Sequence, residues 1–266
     1  MSAEVAAALG ALDIAPRQVS LLASLAPSAQ SFRVETAEGR SLKVVLAWSE
    51  RRATTIERAL TALDLAALPR LHGRYGRVLV FDWLAGQAVD SSAAAAVADL
   101  LAAIHARSPA GLASEPRLRV AVNAARALDE LERLSVAGVV DRGSSSRLAR
   151  LLDDPPAAAP AVFVHTDLHP DNLIADRSGL RVIDNGSWAV GPAAYDLART
   201  LWRWPIPHAD QPGWLARYES ICGTAVEGQA LGFWLAAAAI GSTAYRLVAG
   251  APLAPQTRQR LANLAR

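Results

Sequence analysis

Apolar and polar residues alternate over positions 32–36 and again over 41–47, on either side of the Glu38-Gly39 pair. A period of two flanking a glycine turn predicts two antiparallel strands. A third strand is expected at 77–81. Elsewhere the apolar positions recur at helical spacing: 3–12 and 50–65 around these strands, then 91–105, 120–134, 144–152, 195–204, 212–221, 226–248 and 255–265. Ser91 or Ser92 is placed to cap the first of the later helices, and Pro155-Pro156 stops the helical run that precedes them. Between the helical stretches lie two short apolar runs, 161–165 and 180–184, with Asp176, Ser178 and Gly179 reading as a hairpin turn between them. The pattern predicts an α+β chain in two parts, a small mixed β-sheet lobe over residues 1–85 and a larger helical lobe over 86–266. No internal repeat is present, and the alanine runs are ordinary helix filler.

Length and charge narrow the classes. At 266 residues and 28.0 kDa the chain can bury a substantial core. Its isoelectric point near 9.0 accompanies a net charge of only +2, with no arginine-lysine run and no basic-aromatic interleaving, so nucleic acid is not an expected partner. The single cysteine, Cys222, forbids an internal disulfide and fits a reducing compartment. The opening Met-Ser-Ala-Glu carries no positive leader, and the most apolar run, 233–240, is too short to cross a bilayer. A soluble, cytoplasmic protein with no membrane partner is expected.

Chemistry concentrates between Val164 and Arg199. The chain there reads Val-His-Thr-Asp-Leu-His-Pro-Asp-Asn-Leu-Ile, then Arg-Val-Ile-Asp-Asn-Gly, then Gly-Pro-Ala-Ala-Tyr-Asp-Leu-Ala-Arg. Asp167 and Asn172 stand five apart, and Asp184 follows the second short apolar run. Two carboxylates and an amide in this arrangement suit phosphoryl transfer, which needs in-line positioning, a hard divalent cation on the phosphates and a carboxylate beside the attacking hydroxyl. Asp167 is the expected base, and Asn172 and Asp184 the expected oxygen ligands for Mg2+. A metal-dependent hydrolase using His165, Asp167 and His169 is an alternative, because two imidazoles and a carboxylate are legitimate zinc ligands. Pro170 and the Asp171-Asn172 turn make a loop there rather than a strand presenting one face. Serine hydrolysis lacks a Gly-x-Ser-x-Gly elbow, and a P-loop is excluded because the chain's one lysine, Lys43, is followed by Val44.

At these residues the sequence resembles the aminoglycoside phosphotransferase and choline kinase family, a branch of the protein-kinase-like fold. His165, Asp167, His169, Pro170, Asn172 and Leu173 match its His-x-Asp-x-His-Pro-x-Asn loop, with Thr166 where the family usually has glycine. Asp184 and Gly186 stand where kinases carry Asp-Phe-Gly, with Asn185 replacing the aromatic, and 191–198 resembles the family's Gly-x-Pro-x-x-Asp-Leu-Ala segment. The resemblance implies a two-lobed small-molecule kinase using ATP or GTP with Mg2+. His165, a histidine at a strand end, reads as a hydrogen-bonding structural brace, while the resemblance implies His169 as a basic group within reach of the transferring phosphate and Asp196 as a support for the catalytic loop. It also implies Lys43 on the nucleotide phosphates, held by Glu57 of the following helix, though strand periodicity leaves Val45 as an alternative occupant of that site. Phe81, Asp82 and Trp83 would form the hinge against the nucleotide base. The stretch 22–32, where the family covers the phosphates with a glycine-containing hairpin, has Pro27, Ser24, Ser28 and Ser31 but no glycine. That departure keeps open a second reading, a pseudokinase serving as a nucleotide- or partner-binding module.

The acceptor is the least specified part. Beyond Asp184 four acids face seven arginines, a balance of about three positive units that argues against a polycationic acceptor and for a neutral or anionic one. The same region holds Trp188, Trp202, Trp204, Trp214, Trp234, Tyr195 and Tyr218, which serve either as helix packing or as a platform for a sugar or a quaternary ammonium.

Overall fold

The computed structural model describes residues 2–22, 30–113, 119–120, 122–204, 206–226 and 228–264. Ser24, Pro27 and Ser28 lie outside the described residues.

Ser2 accepts a bond from the Val5 amide and starts helix α1 (Ala3–Ala11). Strands β1 (Pro16–Leu21), β2 (Gln30–Thr36) and β3 (Ser41–Leu46) follow, then α2 (Glu50–Leu63), capped by Ser49, then β4 (Leu71–Tyr75) and β5 (Val78–Asp82). The five strands form one antiparallel sheet in the order β1-β2-β3-β5-β4. Period two splits its side chains between two cores. Phe32, Val34, Leu42, Val44 and Val80 pack on Val5 and Leu9 of α1. Leu79 and Phe81 point the other way and join Ile56 and Leu60 of α2 in a core that continues into the helical part. Neither β1 nor β4 was legible as a strand. Both are sheet edges, β1 almost wholly exposed and β4 carrying His72, Gly73 and Arg74 with a register shift, so neither shows apolar alternation.

The remaining chain is mainly helical: β6 (Gln87–Ala88), α3 (Ala94–His105), α4 (Ala124–Val136), α5 (Arg142–Leu152), β7 (Ala161–Val164), β8 (Leu173–Asp176), β9 (Gly179–Val182), β10 (Ala189–Pro192), α6 (Ala193–Arg203), α7 (Gln211–Cys222), α8 (Gly228–Val248) and α9 (Pro255–Leu264). Asp90, rather than Ser91 or Ser92, caps the 3-10 turn that leads into α3. The helix expected from 120 begins at Ala124, because the Val120 amide bonds the Val190 carbonyl instead. The two short apolar runs do not form one hairpin. Strand β7 pairs with β10, while β8 and β9 form the hairpin around the Asp176 to Gly179 turn, with β6 on its outer edge. Gly86 precedes β6 where a side chain has no room: a Cβ there would lie 2.7 Å from the Ala175 carbonyl oxygen.

The apolar run 233–240 sits inside α8, and Ala230–Val248 reaches the length and hydropathy of a membrane span, which revises the expectation drawn from the run alone. Half of that window is buried, and Phe233, Trp234 and Ile240 belong to the core that α8 shares with α4, α5 and α6. This is how a core helix of a globular domain passes the same length test.

Candidate active site

The loop after β7 is built around one buried carboxylate. Asp196, in the first turn of α6, has no exposed surface. Its Oδ2 accepts from the His165 amide at 2.8 Å and lies 3.2 Å from His105 Nε2, and its Oδ1 accepts from the Thr166 amide at 2.8 Å. His105 Nδ1 in turn lies 2.8 Å from the Tyr218 hydroxyl. Burial alone would raise the Asp196 carboxyl, but the bond and charge from His105 and the contact with His165 hold it below the usual carboxylate range. Asp196 thus holds two successive backbone amides of the loop after β7.

Thr166 has φ +62°, the left-handed conformation that favours glycine. This is the physical reason a glycine is usual at that place. Threonine is held there by its own Oγ1, which donates to the Ser187 carbonyl at 3.0 Å, and by Arg199 Nε, which donates to its carbonyl at 2.7 Å. His165 is fully buried, and its Nε2 donates to the Asp184 carbonyl at 2.7 Å while its ring meets Trp188 edge-on. Burial, the largest influence, drives its imidazole below the ordinary value.

The Asp167 and Asn172 side chains meet directly, and Asp184 is tied to their loop through the backbone. Asn172, closing a 3-10 turn that starts at Pro170, donates from Nδ2 to the Asp167 backbone carbonyl at 2.8 Å and to Asp167 Oδ2 at 3.1 Å. The Ile183 amide donates to the Asn172 carbonyl at 3.0 Å, which ties Asp184 to the same loop. Asp184 Oδ1 accepts from the Gly186 amide at 3.0 Å. Asn185, in place of an aromatic, is buried and accepts from Trp188 Nε1 at 3.1 Å, clipping the turn shut. His169 lies 3.8 Å from Asp167 Oδ2 and 3.6 Å from Asp171, and burial lowers its imidazole.

Lys43 and Val45 lie on one face of β3, lining a small cavity with Ile56, Leu79, Phe81 and Ile183. The Lys43 ammonium donates to the Ile183 carbonyl at 2.5 Å; burial lowers its pKa and the charge of Asp184 opposes that shift. Glu57 does not hold it. On α2 it is Ile56 that faces the cavity, and Glu57, one residue and about 100° further round, accepts from Arg74 Nε of β4 at 2.7 Å. Of the three hinge candidates only Phe81 reaches the cavity. The Asp82 carboxylate lies 2.6 Å from His72 Nε2, and the amides of Asp82 and Trp83 donate to the carbonyls of Arg70 and Ser41 at 3.0 and 3.2 Å. The Trp83 ring lies under the Arg33 guanidinium at 4.7 Å.

Three arginines at the site escaped the sequence reading. Arg52 of α2 reaches the Gly186 carbonyl at 2.6 Å and the Trp188 carbonyl at 3.3 Å. Arg199 Nη2 stands 3.4 Å from Asp167 Oδ1, and Arg203 pairs with the same oxygen. The available signal was spacing: Asp196, Arg199 and Arg203 fall at i, i+3 and i+7, one face of α6. The seven aromatics named above are all buried, as helix packing.

This donor set suits a hard cation. Asn172 Nδ2 is spent on Asp167, which leaves the amide oxygen free, and Gly186 occupies only one Asp184 oxygen. A zinc set is not assembled: His165 is committed to the Asp184 carbonyl, and among the described residues no three His, Cys, Asp or Glu side chains group to hold an ion.

Fold and site together are those of a protein-kinase-like phosphotransferase. The family model for the APH phosphotransferase enzyme family matches residues 17–228, and the chain belongs to that family. No curated protein matches it significantly by sequence. Among solved structures it resembles a macrolide 2'-phosphotransferase from Brachybacterium faecium, 17% identical, covering 97% of this chain and 95% of that one, TM-score 0.67. A choline kinase from Streptococcus pneumoniae is similar at 17% identity, 97% and 95% coverage and TM-score 0.66. A spectinomycin phosphotransferase solved with ADP and spectinomycin is 13% identical, with 97% and 93% coverage and TM-score 0.66. At these identities the likeness is one of fold.

Proposed function

We propose that this protein transfers the γ-phosphate of ATP or GTP to a hydroxyl of a small neutral or anionic metabolite, a sugar or an amino alcohol. The observation that supports the reading is the Asn172 bond to Asp167, with Ile183 joined to the same loop by its amide and to Lys43 by its carbonyl, next to Asp184. Residues 1–85 take the nucleotide and 86–266 the acceptor. Asp167 accepts the hydroxyl proton as the oxygen attacks, and its orientation is fixed by Asn172. Lys43 and His169 lie where cationic or hydrogen-bonding groups would meet phosphate oxygens. Magnesium, held by the Asn172 amide oxygen and the Asp184 carboxylate, would neutralise charge on the phosphates. With the bond network above intact, the enzyme reading outranks a pseudokinase, although the unpaired Lys43–Glu57 positions and the occupied Asp82 and Trp83 amides are what a weak nucleotide site would look like. A cytoplasmic location belongs to the same proposal.

The test is thermal-shift screening with Mg-ATP and Mg-GTP, followed by label transfer from the γ-phosphate into a metabolite extract. Asp167→Asn is expected to abolish transfer with the fold intact. Asp184→Ala is expected to lose the metal-dependent part of nucleotide binding. Wild-type turnover in either variant would refute the assignment.

A further inference from the structure

The charges around Asp167 do not balance. Arg199 and Arg203 both face its Oδ1, and His169 stands on Oδ2. Arg199 has a structural commitment, since Nε holds the Thr166 carbonyl and Nη1 donates to Ser242 Oγ of α8 at 3.2 Å. Among the described residues Arg203 has none of this kind. Among the described residues Asp167 is its carboxylate partner, and Arg246 adds like charge from the opposite helix. Arg246 is exposed and lies one helical turn beyond Ser242, the residue that Arg199 fixes at this spot. Burial, together with the Arg246 charge, brings the Arg203 guanidinium down to about 10. The nearby carboxylate of Glu130, which borders Gly241, is itself bound by Arg126 at 3.0 Å, and Asp171 is turned to solvent beside His169. Arg246 acts on Arg203 as a like charge, and an anion shared between two guanidinium groups relieves that opposition.

We infer that the acceptor carries an anionic group, a carboxylate or a phosphate, bound jointly by Arg203 and Arg246, and that this contact seats its hydroxyl on Asp167. The inference rests on the phosphotransfer reading and narrows it, removing amino alcohols and other cations from the acceptors. Planar guanidinium forks match both oxyanions in bidentate geometry. The seven aromatics beyond Asp184 named above are buried and present no open face to a quaternary ammonium. Binding also has a consequence for the chemistry. An acceptor anion that takes Arg203 leaves Asp167 Oδ1 only the longer Arg199 contact at 3.4 Å, so the base becomes more available as the substrate arrives. The acceptor oxygen then bonds the γ-phosphorus, its proton passes to Asp167, and the bridging oxygen between β- and γ-phosphorus leaves with the nucleoside diphosphate.

A soluble metabolite extract is separated on an anion exchanger at pH 7 into retained and unretained fractions, and each is offered with γ-labelled nucleotide and Mg2+. Label is expected to enter the retained fraction. Arg246→Glu is expected to raise the KM for that fraction at least tenfold while Mg-nucleotide still raises the melting temperature. Prior phosphatase treatment assigns the anion: loss of acceptor marks a phosphate, persistence a carboxylate. Transfer mainly into the unretained fraction, or an unmoved KM in Arg246→Glu, overturns the inference and leaves the kinase reading standing. Transfer into neither fraction with nucleotide still bound overturns it too. Absence of both transfer and nucleotide binding brings down the kinase reading itself.

Discussion

Asp196→Asn tests whether one carboxylate holds the catalytic loop. The side chain receives three donors, the His165 and Thr166 amides at 2.8 Å and His105 Nε2 at 3.2 Å. Asparagine has one acceptor oxygen. Placed at the Oδ2 position it keeps His165 and His105, and its amide then points at the Thr166 N–H, donor against donor. A buried donor left unsatisfied costs about 1–3 kcal/mol, and turning two charge-assisted bonds into neutral ones costs roughly 1 kcal/mol each. The sum is about 3–5 kcal/mol, in the range for breaking a buried charged pair by changing one partner. For a chain of this size each kcal/mol moves the melting temperature by roughly 2–4 °C, so a loss of about 6–20 °C is expected. Differential scanning calorimetry at pH 7 reads it directly. A drop below about 3 °C would mean that the loop is held by something else, and the argument for Asp196 would fail.

Thr166 gives a ranking. Glycine relieves left-handed strain of about 1–2 kcal/mol but loses the Ser187 bond and stiffness, whereas alanine loses the bond and keeps the strain, so melting should follow Thr166→Gly above Thr166→Ala. An alanine variant more stable than the glycine one would refute the strain. Gly86→Ala should cost about 1–3 kcal/mol, because the colliding atom is the Ala175 backbone carbonyl rather than a movable side chain, and a melt within 1 °C of wild type would show that the chain yields there. His165 supplies a pH dependence. Its folded pKa lies below the ordinary 6.5, so below that pH the unfolded chain takes up a proton that the folded chain refuses. Its contribution is therefore present above pH 6.5 and lost as pH falls toward the folded value, by up to about 1.4 kcal/mol per pH unit. His165→Gln should flatten the melting profile between pH 7.5 and 5; an unchanged slope would assign the loss to other groups.

What the sequence revealed, and what it hid, follows from contiguity. Asp167, His169 and Asn172 share one loop and Asp184 is tied to it through a neighbouring amide, so their convergence was written into a short stretch. The helices were legible because most have one apolar face. The Glu57 assignment failed by a single helical step, and its true partner, Arg74, sits on an edge strand that shows no alternation to announce it. Lys43 and Val45 both face the cavity, as period two requires, and it is the Lys43 bond to Ile183 that separates them. The hinge was legible as a place but not as a set of contacts, since the partners of Asp82 and Trp83 come from His72, Arg70 and Ser41.

The arginines show how one helix joins support to recognition. Along a single face of α6, Asp196 turns inward to hold the His165 and Thr166 amides, Arg199 three residues on holds the Thr166 carbonyl that follows them, and Arg203 one further turn reaches the Asp167 carboxylate. The backbone strain at Thr166 is spanned by the first two of these contacts, so loop geometry and base orientation depend on the same rigid element. An arginine placed on that element inherits its precision, because α6 is packed along α8 and its side chains start from fixed Cα positions. Arg246 of α8 adds its charge to the surroundings of Arg203, and that concentration of positive charge beside Asp167 is what the proposed anionic acceptor rests on.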